Sequence, residues 1–433
     1  MANCFVIGGG FAGLSAAVHL ANNNHKVKLI EASPKLGGRA YSFKHDAQNT
    51  IIDNGQHIMM GCYLFTLEFL ELINSLDSIY VQPHLEINFV DRQKKKYKLD
   101  TGEVTYPFNI LTALKDYDAL SKSEKALVVK LFLKIAVCNP KHYEEISTKE
   151  FLGKNHQTEN SINALWEIIH VGTMNCKMEE SSAAIFIRIL KEIFFTINNS
   201  TKIILPKVGL SEMYCDRSAE FLEGKGSEIS LSEKLIKIEF SDESGKAKVL
   251  TTSKKRYTEF DYLVLAIPPD QLQKILPETE KYNLPRYEFS PILNIHLWLS
   301  ENQFNERFYG LINSKIHWLF NNDKHITLVT SAADEFIPMS NEEILELVFK
   351  ELSEYFEEFK SGYVIDHLII KEKRATFKPT IENSVARQNL KSNYNNILFA
   401  GDWTNTGLPA TIESAVKSGE AASDIISALY QKL

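Results

Sequence analysis

The stretch CFVIGGGFAGLSAAVHLANNNHKVKLIEA (4–32) constrains the fold more than any other part of the chain. Residues 3–7 read as a fully buried strand and 11–23 as a helix rich in small residues. KVKLIEA (26–32) adds a second buried strand, so the opening is βαβ. Between the first strand and the helix, Gly8, Gly10 and Gly13 take the spacing GxGxxG. Gly8 permits the tight turn, Gly10 lets the backbone approach a pyrophosphate, and Gly13 lets the helix pack closely on the strand. The free N–H groups and positive end of that helix then attract a diphosphate. Glu31 closes the second strand, where a carboxylate accepts both hydroxyls of an adenosine ribose and disfavours the 2′-phosphate of NADP.

Two further turns narrow the ligand. In PKLGGRA (34–40), Gly37 and Gly38 let the chain pass close to a diphosphate and Arg39 can pair with it. Near the other end, ILFAGDWT (397–404) is a buried strand closing on Gly401–Asp402, followed by a helix from about Thr411. A carboxylate at that strand end accepts hydrogen bonds from a ribityl chain, a polyol that NAD lacks. The helix would aim its positive end at the pyrimidine edge of a flavin, stabilising negative charge on the reduced ring. Together the early and late turns point to FAD.

The 433 residues are too many for one simple core. The expected fold class is α/β: a Rossmann-like FAD-binding domain built from 1–75, 203–270 and 376–433, interleaved with an α+β substrate domain from 76–202 and 271–375. Within the latter, the pattern is helical from roughly 60 to 135, broken by a hairpin around NFVDRQKKKYKLD, and helical again over 161–196. ILNIHLWLS, HWLFNND and HLIIKEKRATF predict a second, mostly antiparallel sheet. A net charge of −7 argues against a nucleic-acid partner. Five cysteines without CxxC spacing point to a reduced compartment and no structural metal. The N-terminus lacks the features of a signal peptide, and no stretch reaches the roughly 20 apolar residues of a membrane span. The expectation is a cytoplasmic protein, with peripheral attachment to the inner face of the cytoplasmic membrane left open.

Several segments carry a resemblance: DNGQHIMMGCY (53–63), IILPKVGLSEMY (203–214), SPILNIHLWLS (290–300), KEKRATF (371–377) and AGDWTNTGLPATIESAVKSG (400–419). With the turns above, they resemble the flavin amine oxidase and phytoene desaturase superfamily, and within it the hydroxysqualene dehydroxylase branch. The resemblance implies a GR2-type fold with FAD contacts at Gly8, Gly10, Ala12, Gly13, Glu31, Ala32, Gly38, Arg39 and Asp402. It places Thr411 and Ile412 by the pyrimidine ring, and Gly55, Gln56 and His57 along the isoalloxazine. Leu235 stands where the family has an aliphatic residue whose backbone pairs with adenine. It further implies an isoprenoid lipid substrate and the reduction of hydroxysqualene to squalene, a hopanoid and sterol precursor.

That reaction replaces a carbon–oxygen bond by a carbon–hydrogen bond, and an alcohol leaves poorly unless protonated. His57 is the first choice of acid, its alternative role being a hydrogen bond to flavin or backbone. Asp53 is expected to brace the same loop. Arg374, with Glu372, is a second catalytic candidate, or else an ion pair beside the substrate-domain sheet. Phe186, Phe194, Phe195, Trp298, Trp318 and Phe320 are candidate walls of a dry tunnel. Helical stretches 125–138 (with Lys125, Lys130 and Lys134) and 183–195 fit either interfacial helices or ordinary burial. With a single GxGxxG there is no second site for NADPH, so a separate reductase or quinol must supply electrons. The competing readings are a carotenoid or phytoene desaturase, an amine or protoporphyrinogen oxidase, and a non-catalytic prenyl-binding escort protein like the Rab GDP dissociation inhibitors. The intact glycine turn with Asp402 argues against the last.

Overall fold

A computed structural model describes residues 1–104, 106, 108–241, 243–276, 279–391 and 393–431. A six-stranded sheet forms one half, in the order 228–230, Lys26–Ile30, Asn3–Ile7, Tyr262–Leu265, Ile397–Phe399, 393–394. Its four inner strands run parallel. Their residues are buried almost without alternation, as a sheet covered on both faces requires. Because these strands are parallel, their C-terminal ends share one edge. The turns after Ile7, Ile30, Leu265 and Phe399 therefore open on the same crevice, where ligands of open α/β sheets bind.

The helices Phe11–Asn22 and Ile412–Tyr430 carry the first and last segments against each other. Gly419 sets their approach: a Cβ there would meet the Ala12 carbonyl oxygen at 2.3 Å and the Ala16 nitrogen at 2.8 Å. Ser15 Oγ donates to the Val416 carbonyl at 2.8 Å, and Ser418 Oγ accepts from the Gly401 N–H at 2.7 Å. The late turn is thus tied to the helix that opens at the early one. Gly419→Ala is expected to destabilise the fold by at least about 1–3 kcal/mol, because the backbone must move apart. A thermal melt matching that of the unaltered protein would show that the helices do not touch.

A seven-stranded sheet forms the second half, in the order Val364–Phe377, Phe289–Leu299, His325–Ser331, Trp318–Asn321, Phe308–Leu311, Glu86–Val90, Lys96–Asp100. All its pairings are antiparallel except Phe308–Leu311 with Glu86–Val90. Leu293, Ile295 and Leu297 face the helix Asn341–Tyr355, which buries Ile344, Val348 and Leu352 against them. The alternate residues Ile292, Asn294, His296 and Trp298 lie on the opposite face. The helix Lys122–Val137, opened by a capping box of Ser121 and Glu124, buries Val128, Leu131, Phe132 and Ile135. It packs in one apolar core with Ala183–Phe194, so both stretches have ordinary burial, while Leu133 and Val137 stay exposed. Among the described residues, no helix is long and apolar enough to cross a membrane.

Candidate active site

A cavity of about 440 Å³ lies between the crevice of the first sheet and the free face of the second. Gly8 has φ +107°, and a Cβ on it would lie 2.5 Å from the Ala266 carbonyl oxygen. A Cβ on Gly13 would lie 1.8 Å from the Gly8 oxygen, which is the close helix–strand packing its place predicts. Gly10 differs: its Cβ position faces the cavity, with nothing nearer than Gly38 Cα at 3.7 Å. As the cap of Phe11–Asn22 it offers no side chain, which leaves first-turn N–H groups free for an anion. Glu31 accepts from the N–H of Gly9 at 2.6 Å and of Ser33 at 2.7 Å, fixing its carboxylate on the cavity wall.

The early and late turns meet in an ion pair. Arg39 Nη2 donates to Asp402 Oδ1 at 2.6 Å, and Nη1 donates to the Ala375 carbonyl at 3.0 Å. Asp402 is buried, whereas the Arg39 side chain is 43% exposed. Burial works against the Arg39 charge, but the Asp402 carboxylate outweighs it and holds the guanidinium above its usual range. Asn54 shapes the arginine turn, donating to the Arg39 carbonyl at 3.0 Å and accepting from the Tyr41 N–H at 3.1 Å. Asp53 accepts from Ser42 Oγ at 2.7 Å and the Leu210 N–H at 2.9 Å. It therefore braces the loop; burial raises its pKa.

Gly8, Gly10, Ala12, Glu31, Gly38, Arg39, Gly55, Gln56, His57, Asp402, Thr411 and Ile412 line the cavity. Thr411 caps the last helix, its Oγ accepting from the Ser414 N–H at 3.2 Å, so the positive end of that helix faces inward. Of the residues expected to contact the cofactor or carry the catalysis, four lie off the wall. Gly13 is spent on packing, Ala32 is exposed just past its strand, and Leu235 is buried with Ile7 and Ile30. Arg374 is the correction that matters for chemistry. Its guanidinium pairs with Asp270 at 2.7 and 3.2 Å and lies over the Phe289 ring at 4.1 Å, half exposed. The ion pair beside the sheet is made, but with Asp270 instead of Glu372, and it holds the Arg374 guanidinium off the cavity wall. Glu372 itself lines the cavity, as do Trp318 and Phe320 of the expected tunnel walls. Phe186 and Phe194 are core residues, Phe195 packs beside that core, and Trp298 lies among histidines.

Three polar residues that shape the site have no role assigned to them by the sequence. Asn175, left-handed at φ 43°, donates to Thr376 Oγ1 at 2.7 Å and accepts from the Ala332 N–H at 2.7 Å. Asn294 approaches Gly55 and donates to the Asn54 carbonyl at 3.4 Å. Arg387, buried, holds the loop after Asp402 by donating to the carbonyls of Asp402 (3.0 Å), Thr404 (3.0 and 2.5 Å) and Leu408 (2.6 Å), and to Thr406 Oγ1 (3.2 Å). The helical run around IENSVARQ is the one sequence signal for it, since an arginine there falls on the buried face.

His57 lies on the wall with Nε2 unpartnered, and burial pushes its imidazole down to about 4. The ring is neutral at pH 7, so any proton it hands over must first reach it. Burial likewise holds His170 and His296 at about 3, and His317 and His325 at about 4. Unfolded, these rings titrate near 6.5. Between 6.5 and about 4 the unfolded chain binds more protons, so their stabilisation is whole above pH 6.5 and falls as the pH drops. Melting temperatures are expected to decline steadily from pH 7 to pH 5; a flat profile would show the rings to be solvated.

A flavin fits this wall on structural grounds. A diphosphate cradle at Gly10, a fixed acid at Glu31 and a buried carboxylate at Asp402 span one cavity, and the positive end of a helix lies at Thr411. The family model described as flavin containing amine oxidoreductase matches residues 11–427, and the chain belongs to that family. It is an FAD-dependent oxidoreductase. Among its relatives, the hydroxysqualene dehydroxylase of Zymomonas mobilis is 26% identical, covering 97% of this chain and 98% of that one. The hydroxysqualene dehydroxylase of Sinorhizobium fredii is 27% identical, covering 98% of each. The 15-cis-phytoene desaturase of Solanum lycopersicum is 25% identical over 99% of this chain but 78% of its own length. Putrescine oxidase, solved with putrescine bound, shares the fold with a TM-score of 0.75 at 15% identity, covering 98% of this chain and 99% of that one.

Proposed function

We propose that this oxidoreductase removes the hydroxyl of hydroxysqualene to give squalene. The similarity to dehydroxylases, which extends over 98% of their length, carries the reading. Bound in reduced form, FAD supplies the hydride that makes the new carbon–hydrogen bond, while the carbon–oxygen bond breaks and the hydroxyl leaves as water after taking one proton. The chain's own residues do the rest. Gly10, Glu31, Arg39 and Asp402 hold the nucleotide, and Ile292, Trp318, Phe320 and Val329 give the opposite wall an apolar surface that excludes water. His57 offers its unpartnered Nε2 as the last proton carrier.

A smaller cavity of about 110 Å³ shares Tyr63, Thr173 and Thr411 with the first and is lined by Met60, Ile189, Ile193 and the 40%-exposed Leu64. It suits the passage of an isoprenoid chain, and the exposed Leu133 and Val137 suit contact with a membrane surface. A separate reductase or quinol remains the proposed electron source. Anaerobic incubation of the reduced holoenzyme with hydroxysqualene should yield squalene by mass spectrometry. Dehydrogenation of phytoene by the oxidised protein, with hydroxysqualene untouched, would assign it to the desaturases instead.

A further inference from the structure

Buried polar atoms are almost always hydrogen-bonded, so a cluster of orphans calls for an explanation. Here five fall together: His57 Nε2, Asn294 Oδ1, His296 Nε2, Trp298 Nε1 and His325 Nδ1 have no partner. Four of them sit on one face of the seven-stranded sheet, the face that lines the cavity. Asn294 is on the cavity wall, His296 and Trp298 follow it at every second position, and His325 is the cross-strand neighbour of Trp298.

The row leads outward. His296 Nδ1 lies 3.1 Å from Thr327 Oγ1, and its ring centre is 5.7 Å from that of His325. Trp298 stacks between His325 (5.2 Å) and His45 (4.4 Å). His45 Nε2 is 2.8 Å from Asp366 Oδ2, and both side chains are partly exposed, at 17% and 23%. Inward, Asn294 abuts Gly55, two residues before His57. The titratable groups around His296 are His325 on one neighbouring strand, Asp366 on the other, and His45 on the hairpin Ser42–His45/Thr50–Asp53.

We propose that this row is a proton path, running from the Asp366–His45 pair at the surface through His325 and His296 to Asn294 and His57 at the cavity, with ordered water bridging the orphan atoms. Buried water typically makes about three hydrogen bonds to groups of this kind. The imidazoles act by taking a proton on one nitrogen and releasing one from the other, so they need no resting charge. Each dehydroxylation consumes one proton, which ends in the departing water, and a dry cavity needs a route for it. The inference rests on the proposed reaction, but its main test does not.

His170 is the internal control, since it too is buried with its pKa at about 3 and one ring nitrogen, Nδ1, unpartnered, but it lies away from the row, its Nε2 2.7 Å from Ser181 Oγ. Deuterium uptake at the imidazole C2 positions of the holoenzyme, followed by mass spectrometry, should be ~10-fold or more faster at His296 than at His170, because exchange reports local access of water. Equal rates would overturn the path whatever the substrate proves to be. In single turnovers with hydroxysqualene, His296→Ala should lower the rate about 100-fold. FAD affinity should not change, and added imidazole should restore part of the rate. Full activity in His296→Ala, or a loss that imidazole does not relieve, would also overturn it. Absence of turnover in the unaltered protein would count against the dehydroxylase reading and leave the exchange result to decide the path.

Discussion

Gly10→Val is expected to give a folded protein that does not turn yellow. The substitution puts a branched side chain where the structure leaves the cradle open, 3.7 Å from the nearest backbone atom. It displaces the diphosphate from the helix N-terminus without colliding with the fold. Losing one or two charge-assisted hydrogen bonds and the close approach should weaken FAD binding by at least about 100-fold. Far-ultraviolet circular dichroism should match the parent, and visible absorbance after FAD addition and gel filtration should vanish. Gly13→Val is the contrast. Its side chain would overlap the Gly8 carbonyl, so that variant should lose the fold together with the flavin. If Gly10→Val binds FAD normally, the diphosphate lies elsewhere.

Arg387→Ala should produce the largest loss of stability among the side chains around the late turn. Burial lowers the pKa of this arginine, so its charge is kept at a cost, and all three of its guanidinium nitrogens donate to the carbonyls and hydroxyl of one loop. Removing it strands the Leu408 carbonyl and leaves those of Asp402 and Thr404 with only Ser414 Oγ and the Thr406 N–H, so the loss should be at least about 1–3 kcal/mol. The loop that carries Asp402 should loosen with it, so FAD affinity should fall too. Arg387→Lys keeps the charge but not the planar fork and should fall between. Chemical denaturation midpoints and FAD titrations check both effects. An Arg387→Ala protein of unchanged midpoint would mean that the loop is held by other contacts.

The sequence makes the nucleotide half legible because its demands are local. A GxGxxG turn, a strand of continuous apolar residues and an acid at its end each state a backbone requirement in a few adjacent letters. The predicted elements 3–7, 11–23 and 26–32 accordingly match Asn3–Ile7, Phe11–Asn22 and Lys26–Ile30 within two residues. The helix expected from about Thr411 begins at Ile412 with Thr411 as its cap. The turns of Arg39 and Asp402, 363 positions apart, converge as a shared ligand requires, but the ion pair between them has no signal in the sequence, which suggests a diphosphate for one and a ribityl chain for the other.

What the sequence hides depends on tertiary partners. Arg374 looks catalytic beside Glu372, yet the strand pairing is irregular between Glu372, opposite Ile292, and Thr376, opposite Ser290, and Asp270 from a distant helix captures the arginine. Arg387 and Asn175 look like surface residues until the loops they bond are brought over them. The helix Asn341–Tyr355 and the hairpin of Ser42–His45 with Thr50–Asp53 lie outside the sequence reading. The helix does carry a start signal in the capping box of Ser340 and Glu343 just after Pro338, whereas the hairpin strands are only 4 residues each, too short for a clear alternation. His57 lies on the cavity wall, and the burial that strips its charge is a property of packing alone.

The most direct measurement is an anaerobic single turnover of the reduced holoenzyme mixed with hydroxysqualene, reading the flavin spectrum and the lipid product together. One flavin should be oxidised for each squalene formed, and Gly10→Val should form none. A flavin that stays reduced while the substrate is recovered intact would contradict hydride delivery from this site.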